Sequence, residues 1–299
     1  MEIVIAGSSG LIGTALRESL TAAGHRPIRL VRRPPRPGSD EIEWEPAAGL
    51  LDVDAISGAD AVINLAGTGI GDHRWTDEYR RSLVESRTDT TSLLAKAAAA
   101  AAKPPSVFLG GSAIGYYGNR GAEVLTEQSS RGQGFLADLV EAWEASAQPA
   151  VDAGIRTCFL RTGIVLDADG GVLPKFLPLF KLGLGGKFGS GEQYFSWIGI
   201  DDDVAAIEFL LNNESIAGPG NLTAPNPVTN AEFTEALADV LNRPAFLPVP
   251  AFGPRLLLGS DRADSLLFEG QRVEPGVLVD NGFTFQHPTV TEALRHILG

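Results

Sequence analysis

The sequence predicts an α/β protein: a doubly wound parallel sheet with a smaller lobe toward the C-terminus. Three observations predict it. Short apolar runs at 2–6, 27–31, 61–65, 106–110 and 156–160 alternate with helical patterns at 11–23, 76–102, 134–153 and 201–213, as strand–helix–strand units with right-handed crossovers require. The first strand runs directly into a glycine-punctuated turn, Gly7-Ser-Ser-Gly10-Leu-Ile-Gly13. After Gly163 the rhythm gives way to a Gly/Leu/Pro/Phe-rich segment, 166–197, and from Asn221 onward to short elements broken by prolines.

Taken in order, Glu2–Ala6 is a buried strand. Gly7 lets the chain turn sharply off it, Gly10 lets backbone approach a phosphate, and Gly13 lets helix 11–23 pack closely on the sheet. The unpaired N–H groups and positive end of that helix suit the diphosphate of a dinucleotide, with Gly7, Ser9, Gly10, Leu11, Ile12 and Gly13 as candidate contacts. Strand 27–31 ends in Leu30-Val31-Arg32-Arg33, where an NAD-preferring site would carry a carboxylate for the ribose 2′-hydroxyl. Two guanidinium groups suit a 2′-phosphate instead, so NADP(H) is expected over NAD, with Arg32 ahead of Arg33. Helix 76–102 ends in an alanine run stopped by Pro104-Pro105. The carboxyl ends of the later strands bring Asn64, Leu65, Ala66, Gly67, Ser112, Arg161 and Thr162 to the same crevice. Helix 201–213, opened by Asp201-Asp202-Asp203, returns to the main sheet. The expected division is a Rossmann-like dinucleotide-binding domain, 1–163 with 199–217 returning to it, and a substrate-side lobe of 164–198 and 218–299.

Composition narrows the function classes. At 299 residues, 44% apolar and 20% charged, the chain is an ordinary globular protein. A net charge of −13 argues against nucleic acid as a partner. The alanine-rich stretch 93–102, interrupted by Lys96, is far too short for a membrane span, and no secretory signal is expected before the first strand. The single Cys158, in an apolar run, reads as a buried strand residue rather than a nucleophile and points to the cytosol. No pair among His25, His73, His287 and His296 has metal-ligand spacing, so no metal is expected.

The glycine turn, Asn64-Leu-Ala-Gly67 and Ser112-Ala-Ile-Gly-Tyr116-Tyr117-Gly118 resemble the extended short-chain dehydrogenase/reductases. Arg74-Trp75-Thr76, Ser86-Arg87, Phe135-Leu-Ala, Trp143-Glu144, Arg161-Thr-Gly-Ile-Val-Leu166, Gly183-Leu-Gly-Gly186 and Trp197-Ile-x-x-Asp201 narrow the likeness to an atypical branch, the NAD(P)-dependent epimerase/dehydratase or nucleoside-diphosphate-sugar epimerase-like proteins. The resemblance covers nearly the whole chain and implies the fold and cofactor class more firmly than the substrate.

It also implies a Tyr-x-x-x-Lys pair on the helix after Glu127. That face reads Phe135, Leu139, Trp143, a core stripe. Ser112 with Tyr116 or Tyr117 is therefore the expected catalytic set: Ser112 donates a hydrogen bond to substrate and one tyrosine supplies the proton. A tyrosine without a nearby cation would be a slow base at neutral pH. Lys175, Gln193, Tyr194 and Trp197 are the expected substrate contacts. Thr126-Glu127 approaches substrate or opens a helix, and Arg87 pairs with a local carboxylate or supports the cleft. Gly199 stands where some relatives carry a histidine. The expected function is an NADP(H)-binding oxidoreductase-like protein acting on a small hydroxy- or carbonyl-bearing substrate, nucleotide-linked ones among them. The alternative is a non-catalytic NADPH-responsive binding or regulatory protein. By analogy of fold, a homodimer through helices 76–102 and 134–153 is the expected assembly.

Overall fold

The computed structural model describes residues 1–245 and 248–299; Phe246 and Leu247, in the expected lobe, lie outside the described residues. The first part of the chain runs β1 (Glu2–Ala6), α1 (Leu11–Ala22), β2 (Arg26–Val31), β3 (Glu41–Glu45), β4 (Leu50–Leu51), α2 (Val53–Ile56), β5 (Ala61–Asn64), α3 (Asp77–Ala100), β6 (Val107–Ala113), β7 (Val124–Leu125), α4 (Phe135–Ala145), α5 (Gln148–Asp152) and β8 (Arg156–Thr162). It continues through β9 (Ile164–Leu166), α6 (Leu173–Lys181), β10 (Tyr194–Phe195), β11 (Trp197–Gly199), α7 (Ile200–Asn212), β12 (Gly218–Leu222), β13 (Val228–Thr229), α8 (Asn230–Leu241), α9 (Phe252–Leu258), α10 (Ser260–Ala263), β14 (Arg272–Val273), α11 (Gly276–Asp280) and α12 (Val290–Leu298).

The main sheet has the order β12-β8-β6-β5-β1-β2-β3-β4 and is parallel except for β3–β4. Its two faces follow from strand alternation. Ile3 and Ile5 point toward Leu16 and Leu20 of α1 and Ile207 and Leu210 of α7, whereas Val4 and Ala6 point toward Leu94, Ala95 and Ala98 of α3. Strand order reverses between β1 and β5, which puts the ligand crevice at their carboxyl ends. The lobe has its own core, in which Phe195 and Phe233 lie 4.4 Å apart between ring centroids, with Trp197 and Leu237 around them.

Three sequence expectations change. Gly218–Leu222, placed in the lobe, is the edge strand of the main sheet, paired in parallel with β8. Helix 134–153 is two helices, because Pro149 lacks an N–H to continue the first and instead sits in the first turn of α5. Strands β6 and β8 run on to Ala113 and Thr162, so Ser112 and Arg161 lie within the sheet rather than beyond it. The outer faces of α3 and α4 expose Glu78, Arg81, Glu85, Asp138 and Glu141, so a dimer there would meet through charged side chains. Among the described residues no helix is long and apolar enough to cross a membrane.

Candidate active site

The glycine turn is fitted to its surroundings. A Cβ on Gly7 would lie 2.5 Å from the Leu65 carbonyl carbon, and one on Gly13 would lie 2.2 Å from the Gly7 carbonyl oxygen. Gly7 also has φ +76°, which side chains disfavour. At Gly10 the nearest atom would be 3.4 Å away. Ser9 and Gly10 are exposed, Leu11 and Ile12 are half-buried, and α1 begins without a side-chain cap. Its first N–H groups are left to an incoming anion, which fits a dinucleotide diphosphate. Lobe residues close over this point, since a Cβ on Gly170 would meet the Leu11 side chain at 2.6 Å.

At the end of β2, Arg33 donates to both oxygens of Glu41, at 3.0 and 2.7 Å. Arg29 reaches the same carboxylate at 3.3 Å. Hydrogen bonding from Arg33, with the Arg36 N–H, holds the Glu41 carboxyl down at about 2. Arg32 is exposed and in no ion pair among the described residues. Sequence reading did not register strand β3, which supplies Glu41, yet that carboxylate separates the two arginines.

Asn64 is fully buried and builds the next loop. Its amide donates to Thr91 Oγ1 at 2.8 Å, and its Oδ1 accepts from the Ala66 N–H at 3.1 Å. It therefore positions Leu65, Ala66 and exposed Gly67 instead of facing the cleft itself. Thr162 is half-buried, its hydroxyl donating back to Leu160.

The expected catalytic set is rearranged. Ser112 is 5% exposed and donates to Glu144 Oε1 at 2.6 Å. Arg161, expected to touch cofactor, is 3% exposed and grips both Glu144 oxygens at 2.8 and 2.9 Å. Burial pulls the Arg161 guanidinium down, but its bonds and charge attraction to Glu144 outweigh burial and the net shift is upward. Tyr117 is fully buried; its hydroxyl donates to Asn221 at 2.7 Å and accepts from Arg161 at 3.1 Å. Burial pushes its phenol up, partly offset by Arg161. That leaves Tyr116, half-buried, with the Arg161 guanidinium 3.5 Å from its ring centroid. The expectation of tyrosines without a nearby cation is overturned. Glu144, quoted from the sequence only within the Trp143-Glu144 match, is the site residue that sequence reading missed; it supplies the counter-charge for the buried Arg161.

On the lobe side, Trp197 is fully buried, its indole donating to the Asn226 carbonyl at 3.3 Å, so it is core rather than pocket lining. Gln193 is occupied with the carbonyls of Phe188 and Leu267. Tyr194 is half-buried under Arg272, and Lys175 is exposed near Gly71. Glu127 clamps the N–H groups of Asn221 and Val277, a structural task. Cys158 is buried, and burial raises its thiol. The fold gathers Asp201, His287 and His296 within 4.8 Å, which spacing did not foresee. The two imidazoles stack with centroids 4.3 Å apart, and His296 ties α12 to Asp201 at 2.8 Å.

Known proteins match along the whole chain. An epimerase family protein of Mycobacterium leprae is 45% identical over 98% of this chain and 94% of its own. The human epimerase family protein SDR39U1 is 36% identical, and its crystal structure with NADPH superposes with a TM-score of 0.90 over 99% of each chain. Thermus thermophilus UDP-glucose 4-epimerase, in complex with NAD, shares the fold at a TM-score of 0.75 and 17% identity, covering 100% of this chain and 99% of its own. A domain of unknown function matches residues 249–297. The NAD dependent epimerase/dehydratase family matches residues 3–222, and with this sheet, glycine turn and crevice the chain belongs to that family.

Proposed function

We propose that the protein is an NADP(H)-dependent oxidoreductase acting on a small hydroxy- or carbonyl-bearing substrate, nucleotide-linked ones among them, bound between the strand ends and the lobe. The observation that carries this reading is the division of labour after β2. Glu41 neutralises Arg33 and leaves Arg32 free for a 2′-phosphate beside a turn that admits only glycine at 7 and 13. The NADPH in the human relative's crystal supports the same choice.

When bound, the nicotinamide gives or takes a hydride. Everything else falls to the chain. The start of α1 and Arg32 hold the anionic groups, and the Asn64 loop shapes the floor. Tyr116 exchanges the proton, its ring held by Arg161. Ser112 acts through Glu144 and Arg161, since its own proton is committed to Glu144. Lys175 and Tyr194 face substrate, and the cytosol is the proposed compartment.

One observation favours the second reading, an NADPH-responsive binding protein: Leu139 and Trp143 are buried in a cluster with Phe135 where the extended family's acid/base pair would stand. Incubating the protein with hydride-labelled NADPH and a metabolite extract separates the two. A labelled small molecule establishes turnover and identifies the substrate. Tight NADPH binding with no labelled product supports the binding protein.

A further inference from the structure

Arg87, half-buried, stands apart from Arg161, the buried cation of the cleft. It lies on α3 with one guanidinium nitrogen donating to the Leu83 carbonyl at 2.9 Å. The rest of the head lies 5.0 Å from the Trp143 ring centroid, and its Cζ is 3.4 Å from where a Cβ on Gly67 would be. The sequence left it either to pair with a local carboxylate or to support the cleft. Among the described residues it has no carboxylate partner in any ion pair, and burial draws the guanidinium down to about 10, so it stays charged at neutral pH. Arg161, by contrast, has Glu144. A partly desolvated charge without a counter-charge costs stability, and a fold that retains one has placed a field at that point.

The point is defined by the strand ends. Arg32, at the end of β2, marks the adenosine side of the crevice, and the glycine turn at β1 marks the diphosphate. Gly67 follows β5, and Trp143 packs on Gly111 of β6, where a Cβ would meet its ring at 2.8 Å. Trp143 also shares a cluster with Tyr116. Arg87 thus lies beyond the diphosphate, on the nicotinamide side of the crevice.

We infer that Arg87 makes the cleft select the reduced cofactor, its unpaired positive charge disfavouring the cationic ring of NADP⁺ against the neutral ring of NADPH. The inference rests on the reading of the crevice as an NADP(H) site. The 2′-phosphate and diphosphate are common to both redox forms, so their contributions cancel in the ratio of the two dissociation constants. That ratio isolates the ring. A like charge beside the ring in a partly desolvated cleft is enough to bias it by roughly tenfold or more.

The experiment is titration calorimetry of the full chain with NADPH and with NADP⁺, for wild type, Arg87→Met and Arg87→Lys, with urea unfolding of each without cofactor. The expected result is a wild-type preference for NADPH of at least about tenfold, retained in Arg87→Lys and largely lost in Arg87→Met. Arg87→Met is also expected to unfold at no lower urea than wild type, because a partly desolvated charge with no counter-charge has been removed. An unchanged ratio in a folded Arg87→Met overturns the inference alone, as does an Arg87→Met that does not fold, since the arginine is then structural. Wild-type protein that binds neither form overturns the cofactor reading and the inference with it.

Discussion

At the scale of single residues, the chemistry of the site depends on who holds whom. Glu144 accepts from Ser112 and from two nitrogens of Arg161, which in turn supports Tyr117 and covers Tyr116. Removing the carboxylate charge strands a buried guanidinium, so Glu144→Gln is expected to cost about 3–5 kcal/mol by urea unfolding. Ser112→Ala leaves the ion pair intact and is expected to cost only about 1–2 kcal/mol. A Glu144→Gln as stable as wild type would show that Arg161 is not held as described. The tyrosines divide similarly. Tyr117→Phe loses two buried hydrogen bonds and is expected to lower stability by about 1–3 kcal/mol. Tyr116→Phe is expected to keep NADPH affinity while turnover, assayed on whatever substrate the label identifies, falls about a hundredfold. Full turnover in Tyr116→Phe would remove it as the proton donor. The sequence presents both tyrosines as equals; only the buried Asn221 beneath Tyr117, on a strand read from sequence as lobe, distinguishes them.

At the scale of elements, α7 opens with three consecutive aspartates that meet three different fates. Asp201 pairs with His296, Asp202 accepts the N–H groups of Gln286 and His287, and Asp203 is fully buried with neither oxygen partnered. Burial alone pushes the Asp203 carboxyl up to about 8, against about 3.9 when unfolded. Between those values the folded chain binds the extra proton, so stability falls as pH rises from about 4 to about 8. Asp203→Asn cannot lose that proton. The urea midpoint of Asp203→Asn is therefore expected to rise relative to that of wild type from pH 5 to pH 8; a constant difference would exclude Asp203 as the cause. Such elements were legible in the sequence wherever one period dominates, as in β1, α1 and α7. They were missed where the signal is relational. Strand β3, Glu-Ile-Glu-Trp-Glu, carries charge on its outer face, and β12, Gly-Pro-Gly-Asn-Leu, has no strand propensity and forms only because β8 offers an edge. The strand read from sequence ends at Gly110, whereas Gly111 is inside β6, with Trp143 in the space of its missing side chain.

At the scale of the whole molecule, a chain of net charge −13 must bind a polyanion through local groups alone. Among the described residues these include the start of α1 and Arg32, which Glu41 does not engage, so cofactor choice and cofactor-linked stability depend on the same few contacts. A ligand that binds only the folded state stabilises it by about 2.7 kcal/mol at a hundredfold excess over Kd. For a chain of this length that corresponds to a rise in Tm of roughly 5 °C. NADPH is expected to raise Tm by about this much, and NADH at equal concentration by clearly less, since it brings no 2′-phosphate to Arg32. Arg32→Ala is expected to shrink the NADPH shift toward the NADH value and leave the NADH shift unchanged. Arg33→Ala has a different signature. It leaves the Glu41 carboxylate, ionised at neutral pH, without its main partner beside the site, so the NADPH shift falls while the apo protein also loses stability. Equal shifts for the two cofactors in wild type would mean that Arg32 makes no contact with a 2′-phosphate. The selection at β2 would then have to come from elsewhere in the crevice.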